Sequence, residues 1–344
     1  MANENPLVSV IIPMYNVEKY IGELLESLMA QTFKNFEIIA VDNCSTDNSA
    51  KFFENYLKNR GGGQLLRNFK NSGNASFSRN RGLEFSRGKY VFFMDSDDVL
   101  TKTALEEMYV FAEHFQADVV QCERRYTSKG VGEELIKNAK LSGDLFTDKP
   151  AFVNDNLAEK VNLFFSGVVP SPPWLKLVRR DFLVKNDLKF KQIFREDDLW
   201  SFEIFLYAKK YMLIPNACVL HRMRDDAMTF PKDRPLNKHL HYWLDRTING
   251  INFLNDFMDR LEFFKKNPQY RYFVLNRWLS NDLQIVLDSC KHLQPHEVYE
   301  IFKTEFEKDL GANDVLVSAL IANSFTLLKN LIIAQQKINL LEKK

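Results

Sequence analysis

The sequence predicts an α/β protein, a mostly parallel three-layer sheet followed by an all-helical C-terminal region. Three observations carry this. Short apolar, β-branched runs alternate with helix-period segments over residues 7–115. Clusters of polar residues follow the strands. From about Lys232 strand signals disappear, and Leu, Phe, Asn and Lys recur at helical spacing.

Leu7 to Ile12 is an apolar run stopped by Pro13, which reads as a strand covered on both faces. Tyr20, Leu24, Leu25 and Leu28 predict a helix over 17–30. Strand 37–41, helix 46–58, strand 64–67, helix 75–86, strand 90–94 and helix 101–115 continue the alternation. Residues 117–122 read as a further strand, Ser171-Pro-Pro-Trp174 as a rigid turn, and 199–208 as a helix. The expected division is a domain over 1–231, with halves 1–115 and 116–231, and a helical appendage over 232–344. Near the end, Val317, Leu320, Leu327, Leu331, Ala334, Ile338 and Leu341 recur at three-and-four spacing, interrupted by Ser324. Packing against its own domain, a homo-oligomer contact or attachment at a membrane surface would each use such a stripe.

Composition excludes several classes. Lys+Arg 46 against Asp+Glu 45 leaves a net charge of +1 over 344 residues, so charge alone gives no reason to expect nucleic acid as a partner. The four cysteines have no CxxC spacing, which argues against a zinc ribbon or a disulfide framework and fits a reducing cytoplasm. The N-terminus lacks a signal-peptide pattern, and no stretch reaches the ~18 apolar residues of a spanning helix. The expected location is cytoplasmic, with peripheral contact at the inner membrane face as an alternative. GxGxxG opening a helix, GxxxxGK[ST] and HExxH are all missing.

In open parallel sheets, ligands bind beyond the carboxyl ends of the strands. Strand one ends in Pro13-Met-Tyr15-Asn16, strand two in Asp42-Asn43, and the strand from Tyr90 in Asp95-Ser96-Asp97-Asp98. Three carboxylates after a buried strand repel one another and need open water or a cation. Asp-x-Asp there suits one carboxylate on a ribose and one on a hard divalent cation. The plainer reading of Asp97 or Asp98 is capping of the helix near Thr101. A second acidic cluster, Glu196-Asp197-Asp198, precedes the 199–208 helix, where N-capping is again the plainer reading.

Five stretches taken in order, Val8 to Asn16, Val41 to Asp47, Asn71 through Arg79-Asn80-Arg81-Gly82, Gly88 to Asp98, and Glu196-Asp197, resemble the family 2 glycosyltransferases. The resemblance is strong over 7–115 and patchy to about 230. It implies the GT-A type of Rossmann-like sheet, a nucleotide diphosphate sugar donor, commonly a UDP-sugar, and a Mn or Mg ion. It also implies an inverting transfer to a hydroxyl of a glycan or lipid-linked acceptor in surface polysaccharide synthesis. Carried over residue by residue, Pro13 and Tyr15 flank the base, Asp42 accepts from its ring N–H, and Asn16 is a further donor-binding residue. Asn71 and Arg79 support the nucleotide or its phosphates, Asp95 and Ser96 lie at the ribose, and Asp97 holds the metal. Asp197 is the expected general base, with Glu196 and Asp198 as alternates. His221 stands where a tyrosine is more usual and is a candidate third metal ligand. Arg222 or Arg224 would clamp the diphosphate, and Trp174 and Lys176 line the acceptor side, with plain packing the other reading of Trp174. One departure is Asp42-Asn43-Cys44 where the family commonly shows Asp-Asp-Gly; Asn43 is then the residue expected to tolerate positive φ. A sugar nucleotidyltransferase and a non-catalytic binding protein are the competing readings.

Overall fold

The computed structural model describes residues 6–60, 63–224 and 236–290, with a few positions between 293 and 303. The first half runs β1 (Val8–Met14), α1 (Ile21–Met29), β2 (Phe36–Asp42), α2 (Ser49–Arg60), β3 (Gly63–Arg67), α3 (Ser76–Phe85), β4 (Tyr90–Phe93), β5 (Val99–Leu100) and α4 (Ala104–Phe115). Then come β6 (Val119–Ser128), α5 (Glu133–Lys137), β7 (Lys140–Ser142), β8 (Ala151–Phe152), α6 (Leu157–Phe165), β9 (Lys176–Arg179), α7 (Arg180–Lys185), α8 (Glu196–Tyr207) and β10 (Tyr211–Arg222). The described residues after these form α9 (Leu236–Asp259), α10 (Glu262–Lys266) and α11 (Pro268–Cys290).

The described strands form one sheet in the order β3-β2-β1-β4-β9-β6-β10-β5, with β7 beside β6 and β8 beside β10. β1, β2, β3 and β4 are parallel neighbours, and β10 is parallel to β6. β9 runs antiparallel between β4 and β6, so β6 again points the same way as β4. Alternation along each strand sends side chains to two separate cores. Val8, Val10, Ile12, Ile38, Ala40 and Phe92 join one with Leu24, Leu28 and Met108. Ile11, Ile39, Val91 and Phe93 join the other with Leu83, Trp200 and Ile204. This explains why β1 lacks a polar alternation: both faces are covered by helices. A Cβ at Gly82 would run into the Ile11 side chain, so this glycine lets α3 lie close on β1.

Helix starts depart from expectation where polar loops claim the backbone. α1 begins at Ile21 instead of 17 because Val17 N donates to Ser49 Oγ (2.8 Å) and Glu18 N to Asp47 Oδ2 (3.0 Å). Its stripe of Ile21, Leu24, Leu25 and Leu28 is buried, each worth about 1.5–3 kcal/mol. α2 starts at Ser49, whose N–H donates to Asp47 Oδ1 (3.0 Å). α4 starts at Ala104, since Val99 and Leu100 pair with β10. α8 starts three residues before 199, at Glu196, so all three acids lie inside its first turn and Arg195 is the N-cap.

The chain divides into two compact units, Met1–Lys232 with Asp256–Arg271, and Asp233–Asn255 with Tyr272–Lys344. In the first, Phe257 packs its ring against Phe202 and Tyr207. In the second, His239 meets Ser289 (3.0 Å) and Thr247 Oγ1 donates to Asp282 Oδ2 (3.1 Å), so the parts of α9 and α11 there run antiparallel. The three-and-four stripe from Val317 to Leu341 lies outside the described residues. Among the described residues, no helix is long and apolar enough to cross a membrane.

Candidate active site

The β1, β2 and β4 loops emerge at one edge because β1 lies between the other two strands. The acidic run after β4 does not depend on open water or a cation alone to relieve its repulsion, since each carboxylate has its own partner in the chain. Asp95 Oδ1 accepts from Arg79 Nη2 (2.9 Å) and Asp97 Oδ2 from Arg224 Nη1 (2.9 Å). Asp98 accepts from Arg222 N (2.8 Å) and faces His221 Nδ1 (3.2 Å to each oxygen). The capping reading of Asp98 therefore fails: Thr103 is the N-cap of α4, and the Asp98 carboxylate is turned inward to β10. Burial, countered by His221, pushes its pKa up to about 6. Asp97 also moves upward, through burial and then the Asp95 charge, against Arg224. Ser96 is buried between them.

Around β2, Asp42 Oδ1 accepts from Ser45 N (3.1 Å), and Asn16 Oδ1 accepts from Thr46 N (2.8 Å). Pro13 does not stop β1, which continues to Met14 with Pro13 paired to Val41, and Tyr15 is 45% exposed, open to stack on a planar ring. Positive φ falls on Cys44 (66°), and on Asn16 (51°), instead of on Asn43. Asn43 does something else: Nδ2 donates to Asn71 Oδ1 (3.2 Å), and Oδ1 accepts from Asn68 Nδ2 (3.0 Å) and Ser72 N (3.2 Å). Asn71 thus supports the loop, with Oδ1 also accepting from Gly73 N (2.8 Å).

The acids of α8 sit at the positive end of the helix, where carboxylates are favoured. They differ in surroundings. Glu196 is tied to Arg79 Nη1 (2.6 Å) and Asp198 to Arg195 (3.0 Å). Asp197 is half-buried between them. Its pKa is raised, first by burial and then by the Asp198 charge, with Arg195 and Arg79 opposing. A carboxylate held upward in this way is a better proton acceptor near neutral pH. Burial works against the charge on Arg79, but Asp95 and Glu196 outweigh it and its pKa moves up.

Three acceptor- or phosphate-side candidates are engaged elsewhere. Trp174 is buried and stacked on His221 (4.9 Å, 14°), which leaves the packing reading. Lys176 is fully buried, and Nζ donates to the carbonyls of Pro170 (2.7 Å), Ser171 (3.0 Å) and Pro172 (2.9 Å), so it shapes the turn. Arg222 joins the Asp97 carbonyl (2.8 Å), the Gly130 carbonyl and Glu23, holding three segments together. Arg224, the other diphosphate candidate, bonds Asp97 and lies over the Tyr20 ring (4.6 Å).

Among the described residues, no three His, Cys, Asp or Glu side chains form a ready-made metal cage. The donors do fit a cation that arrives with a diphosphate. Asp97 offers a hard carboxylate, and His221, whose Nδ1 faces Asp98, would have Nε2 to offer a cation if Nδ1 carries the proton. One or two protein ligands plus phosphate oxygens are typical of Mg sites.

The family model for glycosyl transferase family 2 matches residues 9–165. Over 245 residues the chain is 31% identical to the uncharacterized glycosyltransferase YibD of Escherichia coli K12, covering 70% of this chain and 68% of that one. The chain belongs to glycosyltransferase family 2. This glycosyltransferase is also 31% identical over 211 residues to the poly(ribitol-phosphate) β-N-acetylglucosaminyltransferase TarP of Staphylococcus aureus N315, 60% of this chain and 59% of that one. Its fold is similar to that of S. aureus TarS 1–349 crystallised with UDP-GlcNAc, with a TM-score of 0.57 and 22% identity over 93% of this chain and 91% of that one. The sheet is thus of the GT-A type. Asn43 and Asn80, named in the motifs without these partners, hold Asn71 and the Phe190 backbone, and Arg224, an alternative to Arg222 for the diphosphate, bonds Asp97. The signal for the two asparagines was adjacency to Asp42 and Arg79.

Proposed function

We propose that this glycosyltransferase moves a sugar from a UDP-sugar to a hydroxyl of a cell-surface glycan, inverting the anomeric centre. One observation carries the reading. Arg79 joins Asp95, at the nucleotide edge of the sheet, to Glu196, the neighbour of Asp197, so the nucleotide carboxylates and the candidate base share one network. UDP as carrier is supported by the TarS structures with UDP and UDP-GlcNAc, and a polyol-phosphate or glycan acceptor by the name of TarP.

In this mechanism Tyr15 stacks on the base beside Pro13 and Asn16, and Asp42 accepts from the ring N–H. Asp95 holds the ribose next to Ser96. Asp97 and His221 would hold a Mg or Mn ion, which when bound supplies positive charge against the departing diphosphate. Asp197 takes the proton of the acceptor hydroxyl as its oxygen attacks C1 from the side opposite the diphosphate.

The test is UDP release from UDP-glucose, UDP-galactose, UDP-N-acetylglucosamine and UDP-N-acetylgalactosamine, with and without Mg or Mn. Metal-dependent release that falls about 10²–10⁴-fold in Asp197→Asn, with UDP binding unchanged, is expected. Pyrophosphate as product, or full activity in Asp197→Asn, would overturn the reading.

A further inference from the structure

The segment that carries Asp197 into the site is held by a helix from the other half of the sheet. Asn80 of α3 makes a reciprocal pair with the backbone of Phe190: Nδ2 donates to its carbonyl (2.8 Å) and Oδ1 accepts from its N–H (2.9 Å). Ser76 Oγ donates to the Lys191 carbonyl (2.7 Å) and Asn74 Nδ2 to the Ile193 carbonyl (3.2 Å). Arg79 then takes Glu196 itself (2.6 Å). Four side chains between 74 and 80 thus fix successive points of 190–196, and the chain enters α8 through the left-handed Arg195 (φ 53°).

Packing carries the same constraint into α8. The Phe190 ring is stacked on Trp200 (4.4 Å, 16°), and the Arg79 guanidinium lies over it (5.1 Å). Fixing the Phe190 backbone therefore fixes the ring against which the first turns of α8 rest. The Asn80 carboxamide carries a donor and an acceptor side by side, matching the C=O and N–H of Phe190.

We propose that Asn80 and Arg79 are positioning residues for the general base, acting through Phe190 and Glu196 to set where Asp197 stands. Arg79 does this while bound to Asp95, so occupation of the ribose carboxylate and the placement of the base are mechanically linked. This rests on the reading of Asp197 as the base. Its consequence is that Asn80, whose amide is engaged by the Phe190 backbone, controls turnover more than donor binding. A base displaced by about 1 Å can cost about 10²-fold in rate.

The experiment compares wild type, Asn80→Ala, Asn80→Asp and Asp197→Asn, and the double variant Asn80→Ala with Asp197→Asn. UDP release is measured on the four UDP-sugars, UDP affinity by calorimetry, and folding by melting temperature. Asn80→Asp keeps the acceptor for Phe190 N but sets a carboxylate against its carbonyl, so it tests the same bond should the alanine variant fail to fold. The expected result is a loss of kcat of about 30–100-fold with UDP affinity within about threefold. In the Asp197→Asn background the alanine change should cost less than about threefold, because the base is already gone. Unchanged kcat, additive losses, or UDP affinity falling in parallel with kcat would overturn the proposal. A wild type that turns over none of the UDP-sugars counts against both readings, whereas an active wild type with an indifferent Asn80 defeats this one alone.

Discussion

Asn43 Nδ2 donates to Asn71 Oδ1 across 3.2 Å, linking the loop after β2 to the loop after β3. Asn71 cannot turn its amide round without losing the bond from Gly73 N (2.8 Å). Asn43→Asp, which restores the carboxylate common in the family pattern, would therefore set oxygen against oxygen. The expected cost is about 1–2 kcal/mol in urea denaturation. A neutral or stabilising outcome would show that the amide network does not hold the loop.

Cys44 holds φ at 66°, where a residue with a Cβ is strained. Its Sγ contacts the Asn68 carbonyl (3.2 Å), a weak compensation. Cys44→Gly should stabilise the fold by about 0.5–1 kcal/mol, the relieved strain exceeding the extra unfolded-chain freedom of glycine. A lowered denaturation midpoint would mean that the thiol contact outweighs the strain.

Arg224 occupies Asp97 Oδ2, the carboxylate assigned to the cation. A guanidinium and a divalent ion compete for the same oxygen. Arg224→Ala is expected to tighten Mn binding in the absence of nucleotide by about 3–10-fold, about 1 kcal/mol for a partly exposed pair. Electron paramagnetic resonance of free Mn reads this directly. No change would speak against Asp97 as a ligand.

Glu203 on α8 is buried, none of the described residues hydrogen-bonds to its carboxylate, and Arg260 lies 4.0 Å away. Burial pushes its pKa from 4.5 up to about 7, against Lys191 and Arg260. A raised folded-state pKa means that the folded protein binds the extra proton. The corresponding stability is complete below about pH 4.5 and is lost as pH rises to 7. Glu203→Gln should gain on wild type between pH 5 and pH 8, by at most about 3 kcal/mol. Parallel stability curves for the two proteins would refute this.

The parallel core was legible because strands buried on both faces leave an unbroken apolar signal, as in Val8 to Ile12. The antiparallel insertion of β9 was not. Lys176–Arg179 is four residues with charged ends, and the pairing that buries it comes from strands distant in sequence. β6 extends to Ser128 through Glu123-Arg124-Arg125, because Glu123 finds the N–H groups of Phe146 (2.8 Å) and Thr147 (3.3 Å). In the site, residue types pointed to the right edge of the sheet, but partners did not follow from type. Lys176, expected on the acceptor side, and Arg222, expected on the diphosphate, prove to be engaged by carbonyls and Glu23. Which cation meets which acid depends on contacts more than a hundred residues apart, such as Arg79 with Glu196.

The sheet runs without interruption from β4 through β9 into β6, so the described residues before and after 116 share a ladder. They should melt in a single cooperative transition. Cutting the chain near residue 116 would strip β4 of β9 and lay bare a wholly buried strand, Tyr90-Val-Phe-Phe93, as an open edge. Such an edge recruits other chains. The fragment that carries nearly every nucleotide motif is thus expected to aggregate when made alone, although its sequence reads as a self-sufficient βαβ array.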